Sequence, residues 1–246
     1  MMGNTSPLGS KDNPGYVKVT NTPELQLAYA EVAHPHAKGI IYNGTMKPSI
    51  ANKYKSEGYS FCMRSLNTST GSSTSGSENT ELCTIPLTAQ ETNRITGASD
   101  KHGYGLALMP FYILNVSNIV DPTSTGSKND GSTSAPAENT PVYIAAKVID
   151  MVSEAAIPIG TTVWLQLQNT GDGTNLSLVQ QIEQQIFQSG YSVGILGDEV
   201  QQQQQTNGRV LESTYTPFEQ SGSGTQIRTI AIGDNTGSYP IYWAIQ

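Results

Sequence analysis

The stretch that most restricts what this chain can fold into runs from Pro158 to Ile195, PIGTTVWLQLQNTGDGTNLSLVQQIEQQIFQSGYSVGI. Val163, Leu165 and Leu167 alternate with Trp164, Gln166 and Gln168, a period of two that predicts a strand with one buried face. Gly171-Asp172-Gly173-Thr174 is turn chemistry. Leu178, Ile182 and Ile186, with Val179 beside them, lay one apolar stripe along a helix. Ser189-Gly190 ends that helix, the glycine supplying a left-handed cap. Tyr191, Val193 and Ile195 then resume the alternation. A strand–helix–strand unit is predicted, with the C-terminal half organised around it.

The flanking segments extend that reading. Thr140-Pro141 opens a helix to about Ala156, with Val142, Ala145, Ala146, Ile149, Val152 and Ala156 expected inward. Beyond the unit, 210–216, 225–232 and 240–245 read as strands, joined by turns at 221–224 and 234–237. Residues 140–246 thus form an α+β domain in this reading, a mixed sheet with helices on one face.

The N-terminal half is expected to be a second, β-rich domain over 16–120, preceded by a flexible segment, 1–15. Within it, 15–19 reads as a short strand. Thr22-Pro23 reads as the start of a helix with Leu25, Ala28, Tyr29 and Val32 buried. Gly39 to Tyr42 reads as a strand ending in an Asn43-Gly44 turn, and 48–56 as at most one helical turn. Thr88 with Glu91 three residues later is a capping box for a short helix to Ile95. Tyr104 to Val120 is the most apolar run, and Pro110 inside it argues against one helix. Two strand segments meeting at a kink are expected there. Asp121 to Asn139, DPTSTGSKNDGSTSAPAEN, is too polar to bury. It reads as a linker between domains or as a long exposed loop, and its length favours the linker.

Two cysteines lie in strand-like runs, YSFCMRSL and ELCTIPL, separated by turn formers. A hairpin would place Cys62 beside Cys83, and a disulfide closing that loop would contribute ~3 kcal/mol. The alternative is two buried free thiols. A bridge would argue for an oxidising compartment.

Charged residues are 13% of the chain, about half the usual share. Ser, Thr, Asn, Gln and Gly supply the polar surface instead. The net charge is −7, and the few lysines and arginines are scattered singly. A nucleic-acid partner needs a basic stripe, so that class is set aside. No run of about 18 apolar residues is present to cross a membrane as a helix.

Motifs for chemistry are sparse. His34 and His36 flank Pro35. A metal site would need further ligands, for which only His102 and Asp100 offer themselves, so a helix-end turn is the better reading. Gly190-Tyr191-Ser192-Val193-Gly194 spells a nucleophile elbow, yet the elbow needs a strand running into a helix. Here the order is reversed, and all three histidines precede Ser192. Cys62 in a strand reads as structural. No catalytic residue, cofactor, metal or small-molecule substrate is expected.

Two regions are candidates for contact with other chains. In YPIYWAIQ, alternation puts Ile241, Trp243 and Ile245 on one face and Tyr242 on the other. Trp243 either fills the core under the sheet or anchors an edge strand to a neighbouring subunit. The second is the glutamine face of the predicted helix, Gln180, Gln181, Gln184, Gln185 and Gln188. It can bond between copies without the desolvation penalty of charges.

The sequence VWLQLQNTGD, the helix after it and Gly190-Tyr191-Ser192-Val193 resemble the core of the complement-resistance, surface-exclusion lipoproteins of conjugative plasmids. Those proteins carry a strand of the type V-x-L-Q-I-x-N-T-S-D, a helix of similar length and then G-Y-x-V. The resemblance covers about residues 158–195. It implies a periplasmic or outer-envelope subunit that packs against copies of itself, and it transfers no catalytic residues. The expectation is a non-enzymatic structural subunit of a bacterial envelope assembly, such as a secretion, conjugation or surface-appendage complex. The alternatives are a virion structural protein and an enzyme of an unseen class.

Overall fold

The computed structural model describes residues 28–44, 46–68, 85–97, 103–122, 138–168, 176–196, 219–220, 226–233 and 240–246. In chain order the elements are β1 (Tyr29–Val32), β2 (Lys38–Asn43), α1 (Pro48–Ser56), β3 (Tyr59–Ser65), α2 (Ala89–Thr96), β4 (Ala107–Asn115), α3 (Pro141–Glu154), β5 (Thr162–Gln168), α4 (Leu176–Gln188), β6 (Ser192–Leu196), β7 (Glu219–Gln220), β8 (Gln226–Ala231) and β9 (Tyr242–Ile245). The fold is α+β: the described residues form one mixed sheet of nine strands with four α-helices.

β2, β3, β4, β5 and β6 are parallel and lie side by side in sequence order. Each successive pair is bridged by one helix. Four crossovers stepping the same way must all land on one face if they share one hand, and they do. Buried residues of α1 (Ala51, Tyr54), α2 (Ile95), α3 (Ile144, Val148, Val152) and α4 (Val179, Ile182, Ile186) join Ile40, Cys62, Leu108, Val163, Leu165 and Ile195 in one core. The opposite face of the sheet forms a second core from Ile41, Phe61, Met63, Met109, Phe111, Trp164 and Trp243, with no residue from α1–α4. Antiparallel strands extend both sides: β8 and β7 beyond β2, and β9 with β1 along β4.

The local signals explain most of the helices. Pro48 opens α1, and Lys53 and Lys55 sit in its last turn, where they oppose the negative end of the helix dipole. Thr88 caps α2 by accepting from the Glu91 amide, and Thr140 caps α3 the same way from Tyr143. Gly190, at φ 91°, provides the left-handed residue after α4. Leu178, Val179, Ile182 and Ile186 are the buried side of α4.

Several expectations need correcting. Strands from both sides of 121–139 join one sheet, with β4 paired to β5, so that tract does not separate two sheets. The Val120 amide donates to the Asn139 carbonyl at 3.0 Å. The ends of the tract therefore meet, as in a loop rather than a spacer. Among the described residues the N-terminal half carries four strands, β1–β4, and its helices α1 and α2 serve as crossovers between them. Tyr29 and Val32 lie in strand β1, paired with β9, instead of on a buried helix face. In α3 the inward stripe is Pro141, Ile144, Ala145, Val148 and Val152, one step out of phase with Val142, Ala146 and Ala156. The expected strands at 15–19 and 210–216 fall outside the described residues.

Pro110 does not divide the apolar run into two strands; it sits inside β4. The Leu66 amide donates to the Phe111 carbonyl at 2.7 Å, so Phe111 directs its polar groups toward β3. Alternation turns those of Pro110 to the other side. There β4 passes from β9, at Leu108↔Ala244, to β5, at Phe111↔Trp164. The proline's missing donor thus falls in the gap between two partner strands, where no ladder bond is lost.

Candidate functional site

The most unusual chemistry among the described residues lies where β2 and β3 end and α2 begins. Arg64 occupies the penultimate position of β3, and its side chain is fully buried. A buried guanidinium needs a counter-charge and filled donors. Glu91, in the first turn of α2, supplies both: Arg64 Nε donates to Glu91 Oε1 at 2.9 Å and Arg64 Nη2 to Glu91 Oε2 at 3.0 Å. This is the bidentate fork that arginine favours. Arg64 Nη2 also donates to the Ile85 carbonyl at 3.1 Å. The guanidinium lies over the Tyr42 ring, 4.8 Å from its centroid, a cation–π contact. The Tyr42 hydroxyl completes the set by donating to Glu91 Oε1 at 2.7 Å.

Cys62, two residues before Arg64 on the same strand face, is fully buried with a free thiol. Burial pushes its pKa well above the ordinary thiol value; the Glu91 carboxylate adds to that, and Arg64 opposes it. Burial likewise raises the Tyr42 phenol, with further contributions from Cys62 and Glu91 against Arg64. Both groups are held neutral, so neither is poised as a nucleophile or base near neutral pH. The cluster ties β2, β3, α2 and the segment entering α2 into one unit. The Leu87 amide reinforces it by donating to the Ser65 carbonyl. Beyond the strand end, Asn67 donates to the Ile113 carbonyl at 2.9 Å and accepts from the Ile113 amide at 2.8 Å, replacing one rung of a ladder.

The expected hairpin at Cys62 is not formed. Cys62 pairs with Ile40 on one side and Leu108 on the other, both parallel, so neither edge of β3 is open to a returning strand. Cys83 lies outside the described residues, as do Asp100 and His102. His34 and His36 stand on an exposed turn, His36 at φ 57°. His34 meets Trp243 edge-on at 5.3 Å between ring centroids. No cluster of three metal-ligating side chains occurs among the described residues. Ser192 begins β6 after the Gly190 turn, which is the helix-to-strand order read from the sequence.

Of the two contact candidates, Trp243 is buried and β9 lies between β4 and β1, so Trp243 belongs to the core and, among the described residues, the outer strand is β1. Tyr242 is half-buried, its amide donating to Thr162 Oγ1 at 2.9 Å. Gln181, Gln184 and Gln188 are exposed on α4, and Gln185 is half-buried. The structure does not bring Tyr242 and the glutamines into one site. Arg64 and Tyr42 were not singled out in the sequence. The available signal was an arginine inside the apolar strand YSFCMRS, a residue that is almost never buried without a partner.

Comparison of the chain with family models, curated proteins and solved structures finds no match.

Proposed function

We propose that this protein is a non-enzymatic structural subunit that assembles with copies of itself in a bacterial cell envelope. The observation that carries the reading is that, among the exposed large apolar side chains of the described residues, one pair lies on the outer strand and another where α4 ends. Tyr29 and Val32, on the outer strand β1, are 54% and 46% exposed; Ile159 and Phe187, where α4 ends, are 70% and 61% exposed. Apolar side chains on an edge strand are a feature that proteins otherwise suppress, because an edge invites another chain.

Two further features support the reading. The polar groups of the Arg64 cluster are engaged with one another, which suits a structural lock better than a reaction centre. Among the described residues the parallel strands also run in unbroken order, without the reversal that opens a ligand crevice at the carboxyl ends of doubly wound sheets. The envelope location rests on the resemblance of 158–195 to the surface-exclusion lipoproteins.

Cross-linking in the source cells, followed by fractionation and identification of the joined chains, tests the proposal. Self-linked species in the envelope fraction are expected. Recovery of un-linked chain from the cytosol contradicts it, and recovery only in purified virus particles transfers the same role to a virion.

A further inference from the structure

We infer that α4 is a two-fold self-association surface, centred on Gln184, that takes a second copy of this chain. The inference rests on the assembly reading and names the surface it uses. The buried residues Leu178, Val179, Ile182 and Ile186 fix which side of α4 faces the sheet. At 100° per residue, the opposite side is the arc of Ser177, Gln180, Gln181, Gln184, Phe187 and Gln188. All six are exposed, and Gln184 lies near the middle of the arc.

No charge falls within this arc; Glu183, the only ionisable side chain of α4, lies outside it. The outward face of a surface helix normally carries charges. α1 does so with Lys53 and Lys55, and α3 with Lys147, Asp150 and Glu154. The distinction selects the partner. At a two-fold axis each side chain near the axis meets its own copy, so lysine or glutamate repels itself there. Glutamine carries both a donor and an acceptor amide, and it can bond to its own copy without desolvating a charge. A face of amides with one exposed phenylalanine is therefore self-complementary, whereas it offers no electrostatic handle to a charged partner.

An antiparallel pair of α4 helices centred on Gln184 sets Gln180 level with Gln188 of the second copy. Phe187 then lies alongside the aliphatic stem of the second copy's Gln181. Ile159, also exposed, adjoins the residue that ends the helix turn, its Cγ2 lying 2.9 Å from the position a Cβ on Gly190 would take. The contact is about 20 Å long, short of what a standard interface of about 1,600 Å² requires. It is thus expected to be reversible and concentration-dependent unless other surfaces join it.

Sedimentation velocity on the full chain from about 1 μM to about 1 mM tests this. Wild-type protein is expected to dimerise with rising concentration. Gln184→Lys/Gln188→Lys and Gln184→Glu/Gln188→Glu are each expected to lose at least tenfold in association constant. Because these positions are exposed, both variants should keep the wild-type circular dichroism and urea midpoint. An equimolar mixture of the two should recover association as a heterodimer. Wild-type association that neither variant alters overturns the assignment to α4 while leaving self-assembly in place. A wild type that stays monomeric throughout overturns both.

Discussion

Removing the charge of Glu91 tests the physical account of the Arg64 cluster. Glu91→Gln keeps the shape of the side chain and leaves the cap on the residue-91 amide intact, but it strands a buried guanidinium. Attraction across the 2.9 Å contact is roughly 6 kcal/mol at an effective dielectric near 20. Desolvation of the two ions offsets most of that, so the pair adds little net stability while the loss of one partner is severe. Breaking such a pair costs about 3–5 kcal/mol. Glu91 retains 13% exposure, so water reaches it and the low end, about 3 kcal/mol, is expected. That is a large share of the 5–15 kcal/mol typical of a folded domain. Urea unfolding followed by circular dichroism measures it. The double variant Arg64→Met/Glu91→Gln should recover most of the loss, because it removes both charges together and leaves an amide oxygen to accept from the Tyr42 hydroxyl. A loss under about 1 kcal/mol for Glu91→Gln, or a double variant no better than the single, refutes the argument.

Other expectations follow from single contacts. A Cβ on Gly194 would lie 2.4 Å from Cζ3 of buried Trp164, so Gly194→Ala should destabilise by about 1–3 kcal/mol through overpacking, read as a lowered urea midpoint. Thr88→Ala should cost about 0.5–2 kcal/mol by removing the α2 cap, measured the same way. The Cys62 thiol titrates higher folded than unfolded. Its contribution is therefore full below the unfolded value of about 8.5 and falls as pH rises toward the folded value, by up to about 1.4 kcal/mol per pH unit. Urea midpoints from pH 7.5 to 10 should decline more steeply for wild type than for Cys62→Ala, and parallel slopes would contradict the burial of this thiol.

The strand–helix–strand unit was legible because periodicity and caps agreed: Leu178, Ile182 and Ile186 left one possible helix face, and Gly190 one possible end. The parallel order of the other strands was not, because it depends on pairings between residues far apart in the chain, β3 with β4 and, across the tract at 121–139, β4 with β5. The run from Ala107 to Asn115 is apolar because both faces of β4 are covered, which is the signature of a parallel central strand. Pro110 concealed it. The helix at 48–56 was under-read because few apolar residues mark its inner side. Tyr29 and Val32 fit a helical spacing as well as a strand, and pairing with β9 decided between them. The Arg64 cluster was half visible. Glu91 was recognised for its spacing from Thr88, but its carboxylate turns to Arg64 and Tyr42, residues 27 and 49 positions away. Spacing cannot reveal such partners.

The claim that copies of this chain assemble with one another is tested most directly by the mass of the native particle, by light scattering on protein released gently from its source. A mass that is a whole multiple of one subunit's, with this chain as the subunit, is the expected result. A particle of one chain at every concentration would contradict the account.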